Sequence, residues 1–162
     1  ENSRFNVDTG TDNYYRGQVG EDFPHFPVVG ISRDNAAAYC RWLSKETGFN
    51  FTLPTEAQWQ RAAQGTDHRP YPWGTAAPNS NLANFGSRHG KTTPAGSFPG
   101  GASPYGLLDM AGNVEELCDN YVAYGGSFSS GPGEIECNSR NPYDASSRNN
   151  TLGFRLCMTV KR

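Results

Sequence analysis

From residue 66 to about residue 105 the chain meets a turn former every few positions, as in "YPWG", "PNSNLANFGSRHG" and "PAGSFPGGASPYG". Gly, Pro, Asn and Ser at that spacing interrupt both the 3.6-residue period of a helix and the two-residue period of a strand. A chain with so long an aperiodic middle has to be a frame of ordered loops, and such loops in a compact domain tend to carry function. Gly 19 and Pro 11 together make nearly a fifth of the chain, and 12% of it is aromatic. Aromatics at that density bury enough surface to offset chain entropy, so the sequence reads as a loop-rich globule and not as a disordered chain. At 162 residues it is most simply one domain.

Regular elements flank the loops. In "SRDNAAAYCRWLSKETG", Ser32 can cap and Asp34 suits the positive first turn. Ala36, Cys40 and Leu43 then fall at i, i+4, i+7, and Gly48 supplies the stop. This predicts a helix. A shorter one is predicted in "LPTEAQWQRAAQG", where Thr55 and Gln58 have capping-box spacing, Trp59, Ala62 and Ala63 share a face and Gly65 ends the run. Strands are predicted at 122–128, "VAYGGSF", and 152–160, "LGFRLCMTV". Two helices, long loops and a small late sheet make an α+β plan.

Several function classes fall away. With 14 basic and 16 acidic residues, net charge −2 and no Lys/Arg run, the chain lacks the electrostatic footprint of a nucleic-acid or membrane-surface binder. No window has the length and apolarity of a membrane-spanning helix. His25, His68 and His89 lack metal-ligand spacing and read as surface residues, and "YGGSF" lacks the G-x-S-x-G spacing of a nucleophile elbow. The glycine-rich runs open no helix after a strand, so they read as turns and not as phosphate cradles. Cys40, Cys118, Cys137 and Cys157 show no C-x-x-C spacing, which argues against a zinc ribbon or thioredoxin-type site. Two disulfides in an oxidising compartment, in any of three connectivities, and buried free thiols both fit.

"LLDMAGNVEELCDNY", 107–121, gathers four carboxylates around a Gly-Asn turn. Asp109 and Glu116 flank carbonyls at Gly112 and Val114, the mixture of oxygens that a hard cation takes at about 2.3–2.6 Å. The EF-hand pattern is absent, and on spacing alone a solvated acidic turn is the simpler reading.

Taken together, "PVVGISRDNAAAYCRWLSKETGFNFTLPTEAQWQRAA", "YPWG", "SPYGLLDMAGNVEEL", "GGSF" and "LGFRL", in this order, resemble the formylglycine-generating enzyme family, also called the sulfatase-modifying-factor family. The resemblance implies a C-type-lectin-like α+β fold over residues 27–162, with two helices, a small twisted antiparallel sheet and long ordered loops. Family domains usually begin with a further strand and helix, which residues 1–26 do not match, so these read as an irregular N-terminal arm. The family's "GNVWEW" is "GNVEEL" here, with Glu115 and Leu117 where two tryptophans are usual.

The resemblance also speaks to chemistry. The family's oxidase uses two copper-binding cysteines after the "GGS" motif, and here the first of those positions falls on Ser130 and the second near residues 133–135, also without Cys. No copper and no sulfatase oxidation are therefore expected, because a copper site of that kind needs thiolate ligands. The family's structural calcium ligands fall on Asp109, Gly112, Val114 and Glu116, so the resemblance implies Ca²⁺ there. A second family calcium site would use Asn84 and Phe85, without a recognisable acidic partner loop. A pairing of Cys40 with a cysteine after "GFR" is also implied, but Cys157 lies one residue beyond the expected place; Cys118 with Cys137 is the other suggested pair.

The resulting expectation is a non-catalytic binding, display or scaffold domain, extracytoplasmic or secreted, with a protein or carbohydrate ligand or the other subunits of a complex as partner. Its ligand face lies on 128–151, which resembles the variable region of retroelement-diversified proteins. Ser129, Ser130, Asn138, Ser139, Asn141, Tyr143, Ser146, Asn149 and Asn150 would face the ligand there. The alternative is a sulfatase-modifying oxidoreductase or the accessory subunit of an enzyme.

Overall fold

The computed structural model describes residues 25–160. The irregular arm read over residues 1–26 therefore lies, up to residue 24, outside the described residues. Helix α1, Arg33–Thr47, opens on a capping box: Asn35 N–H donates to Ser32 Oγ at 3.2 Å and the Asn35 side chain accepts from Ser32 N–H. It closes on Gly48, at φ 76°, whose N–H reaches Ser44 O. Helix α2, Glu56–Gln64, repeats the device with Thr55, Gln58 and Gly65. Both helices form where capping and period predict them.

Strand β1, Asn50–Thr52, pairs antiparallel with β6, Cys157–Thr159. A separate sheet runs in the order β4-β3-β2-β5, from Arg140–Pro142, Val122–Tyr124, Glu115–Leu117 and Leu152–Gly153. Its β2–β5 pair is parallel and the other pairs are antiparallel. Pro142 is tolerated because β4 is an edge strand.

The two predicted strands are thus subdivided. The run at 122–128 stops after Tyr124 because Gly125 and Gly126 adopt φ of 88° and 63°; a Cβ on Gly126 would lie 2.7 Å from Glu134 O. The run at 152–160 supplies β5 to one sheet and β6 to the other, with 154–156 crossing between them.

Three apolar clusters hold these parts together. Ile31, Ala36, Cys40, Leu53, Leu117, Ala123 and Leu152 pack α1 onto the sheet. Trp59, Ala63, Met110, Cys118, Tyr124 and Cys137 form the second, in which the Trp59 and Tyr124 rings stack at 5.1 Å. Tyr71, Ala83, Ala111 and Ile135 anchor the 66–105 loops, with Tyr71 stacked on Trp73.

All four cysteines are free thiols, so neither suggested disulfide is formed. Cys157 lies one residue beyond the place at which the pairing with Cys40 was expected. Leu156, the residue before Cys157, lines an apolar groove of about 480 Å³ with Ile31, Ala36 and Tyr39 beside α1.

Candidate functional site

The turn before β2 is shaped by left-handed residues: Asp109, Gly112 and Asn113 have φ of 55°, 73° and 67°. A Cβ on Gly112 would lie 2.2 Å from Asn84 O, so only glycine lets the two backbones approach. Asn113 then fastens the 84–93 loop to the turn. Its N–H donates to Asn84 O at 2.8 Å, its Oδ1 accepts from Thr93 N–H at 2.9 Å and from Asn84 Nδ2, and its Nδ2 donates to Thr93 O.

Strand β2 sends its two adjacent carboxylates to opposite faces. Glu116, 5% exposed, enters the second cluster, where Trp59 Nε1 donates to Oε2 at 2.7 Å. Arg155 closes a bidentate pair on it, with Nη2 donating to Oε1 at 2.6 Å and Nε to Oε2. Arg155 Nη2 also donates to Leu108 O at 3.1 Å. Asp109 lies close by, and its Oδ2 accepts from Gly96 N–H at 2.6 Å. Burial, and to a lesser degree the charge of Glu116, hold the Asp109 carboxyl above the ordinary aspartate range.

Glu115, 6% exposed, faces the other way. Its Oε2 accepts from Tyr143 Oη at 2.7 Å and from Asn141 Nδ2 at 3.1 Å. The burial of Tyr143 and this bond push its phenol up. Glu115 thus has a clear structural role in place of a tryptophan: it ties β2 to β4 and the residue after it. No local signal marks this role, because the partners of Glu115 lie 26 and 28 residues away.

The residues expected on the ligand face separate into groups. Ser129, Asn138, Asn141 and Ser146 are exposed; Ser139, Tyr143, Asn149 and Asn150 are half-buried. Ser130 is buried, with its Oγ accepting from Ser127 N–H at 3.0 Å. Asn141 and Tyr143 converge on Glu115, and the Asn149 side chain bonds Tyr143. Ser129 instead joins a hydroxyl cluster with Ser127, 3.0 Å between oxygens.

Comparison with known proteins places this arrangement. The model of the sulfatase-modifying factor enzyme 1-like domain family matches residues 6–160. The chain belongs to this family. The protein kinase pkn1 of Chlamydia caviae is 34% identical over 161 residues, covering 83% of this chain and 24% of the kinase. The hercynine oxygenase of Mycolicibacterium thermoresistibile is 38% identical over 62% of this chain and 22% of the oxygenase. The formylglycine-generating enzyme of Mycobacterium tuberculosis is 35% identical over 56% of this chain and 32% of the enzyme. The chain therefore spans about a quarter of the length of the pkn1 and hercynine oxygenase relatives. Among solved structures, PvdO from Pseudomonas aeruginosa superposes with TM-score 0.74 at 26% identity, over 85% of this chain and 63% of PvdO. Treponema denticola variable protein 1 superposes with TM-score 0.76 at 24% identity, over 85% of this chain and 73% of that protein, a likeness of fold alone. The α+β formylglycine-generating-enzyme-like fold is thus common to them.

Calcium and copper, the metals that the family resemblance brings in, ask for different donors. For calcium, among the described residues Asp109 Oδ1 takes part in no hydrogen bond and Glu116 Oε1 in one, leaving oxygen lone pairs of the kind a hard cation needs. Arg155 already offsets one of the two charges. At the second position, Asn84 is 1% exposed and its Nδ2 donates towards Lys91 O, Thr93 Oγ1 and Asn113 Oδ1, which orients the amide. Asn84 Oδ1 is left as the buried side-chain polar atom without a partner among the described residues, an acceptor suited to a cation or a water. These oxygens are donors of the hard type that calcium takes; copper finds no thiolate, since Ser130 offers a hydroxyl and the Cys137 thiol is pushed up to about 12, chiefly by burial.

Proposed function

We propose that this chain is a non-catalytic binding domain of the sulfatase-modifying-factor family whose ligand face is the 128–151 segment. The observation that carries this reading is Ser130. The residue at the first copper position of the resemblance is a buried hydroxyl held by its neighbour's N–H, and the closest cysteine in sequence, Cys137, is a fully buried protonated thiol. Soft-metal oxygen chemistry has no ligand there.

The same segment is built for presentation. Glu115 fixes Asn141 and Tyr143 from below, while Ser129, Asn138 and Ser146 stay exposed. Short polar side chains on a fixed frame suit contact with a protein or carbohydrate, or with other subunits of a complex, because they adapt their hydrogen bonds at small entropic cost. Structural Ca²⁺ at Asp109, Gly112, Val114 and Glu116 belongs to the same proposal. A site with two carboxylates, one of them already ion-paired, suits the weak affinities of extracellular calcium modules and therefore an extracytoplasmic setting.

The test is a panel of immobilised glycans and proteins probed with the purified chain and with the triple variant S129A/N138A/S146A. The proposal expects a selected binder that the triple variant loses at least tenfold while its melting temperature holds. Equal binding by the two proteins would place the ligand elsewhere.

A further inference from the structure

A cavity of about 420 Å³ opens between α1 and the segment that runs from β1 into α2, and no residue of 128–151 lines it. Arg33, Ala37, Cys40 and Arg41, at i, i+4, i+7 and i+8, give it a helical wall. Cys40 and Leu53, 2% and 5% exposed, form its floor with Ala37 and Phe51. Arg41, Thr55, Gln58 and Asp119 are exposed at its rim. An apolar hollow of this size with a few polar groups around it is the form that small-molecule sites take.

The two guanidiniums of the lining differ in how they are engaged. Arg33 donates from Nε and Nη2 to Asp119 O at 3.0 and 2.6 Å and from Nη1 to Asp34 Oδ1 at 3.3 Å, and it sits 4.9 Å over the Tyr121 ring. These contacts hold Arg33 beside Asp119, so that end of the cavity has its charges offset. Arg41 lies eight residues further along α1, about 12 Å along the axis. Its guanidinium makes no hydrogen bond or ion pair among the described residues, so the positive charge of the lining is concentrated at its end. Neutral donors stand across from α1. In the capping box of α2, Gln58 Oε1 and Thr55 Oγ1 serve as acceptors, which leaves the Gln58 Nε2 amide and the Thr55 hydroxyl proton to donate.

We infer that this cavity binds an organic monocarboxylate with an apolar body, its carboxylate on Arg41 and its body against Ala37, Phe51 and Leu53. The planar fork of a guanidinium matches the two oxygens of a carboxylate, and one free guanidinium matches one negative charge. A phosphate dianion would meet the Asp119 carboxylate in the same lining with a single unengaged cation to hold it. A free aromatic acid and the C-terminus of a peptide ending in an aromatic residue share the required chemistry. The site is separate from the 128–151 face and stands or falls independently of it.

The experiment is an NMR titration of the full chain with 3-phenylpropionate, representing a free acid, and in a second arm with N-acetyl-phenylalanine, representing a peptide C-terminus. The matching primary amides serve as neutral isosteres. The expected result is a saturable shift of the Arg41 Nε–H and Gln58 side-chain amide signals with at least one acid, and none with its amide; the arm that responds names the source. Arg41→Gln should weaken that binding about tenfold or more. Because the Arg41 guanidinium has no partner to lose, the melting temperature of this variant should match the parent's. Ala37→Leu, which fills the cavity from α1, should abolish binding. No saturable shift with either acid at millimolar concentration would overturn the inference, as would unchanged affinity in Arg41→Gln. So would equal responses to acid and amide, a comparison on the unaltered protein that does not depend on how any variant folds.

Discussion

At the scale of single residues, buried charge decides most of what can be tested. Arg155→Ala leaves Glu116 buried with only the Trp59 indole on it. Breaking a buried pair from one side costs about 3–5 kcal/mol, readable as a lowered denaturation midpoint with the slope unchanged. Tyr143→Phe removes a hydrogen bond to a charged acceptor and should cost about 1.5–3 kcal/mol. Asp109 works in the opposite sense. Its carboxyl is held above its unfolded value, so its contribution to stability is full below the unfolded pKa and is lost as pH rises through the folded one. Asp109→Asn should therefore raise the melting temperature at pH 7 without added calcium and remove the gain that the parent shows on acidification towards pH 4. A variant less stable than the parent at pH 7 would contradict this. These roles were only partly legible in the sequence. Asp109 and Glu116 stand out as carboxylates around a turn, but Arg155 meets Glu116 across 39 residues, and nothing local to "VEEL" says which of its glutamates carries a cation.

At the scale of elements, legibility follows how local the causes are. Both helices are written into caps, period and terminal glycines that lie within a few residues of one another. Ser32→Ala should cost about 1 kcal/mol, the usual loss of an N-cap, measurable as a few degrees in melting temperature. The strands are set by distant partners. Strand β2 hides in the sequence because two glutamates occupy it, and only Tyr143, Asn141, Trp59 and Arg155 make their burial tolerable. The run at 152–160 alternates like one strand, but it serves two sheets. Gly112→Ala tests the tightest joint between elements. The left-handed φ and the 2.2 Å approach to Asn84 O leave no room for a methyl, so the 84–93 loop must move. A loss of several kcal/mol is expected, at the upper end for single substitutions.

At the scale of the whole molecule, long loops are held on a small frame by three apolar clusters. The family was legible from five motifs in order, and the family match from residue 6 to 160 agrees with them. Family membership leaves activity open, because a fold hosts many functions and the site decides among them. If calcium binds at Asp109 and Glu116, a concentration ten times its Kd should add roughly 1.4 kcal/mol to stability, and Asp109→Asn should abolish that increment. The central claim is that this member binds and does not catalyse. Its most direct test is incubation with copper, oxygen and a cysteine-containing sulfatase peptide, followed by mass spectrometry for the aldehyde. The account predicts no conversion above a protein-free control; aldehyde formed with turnover at an enzyme-like rate would contradict it.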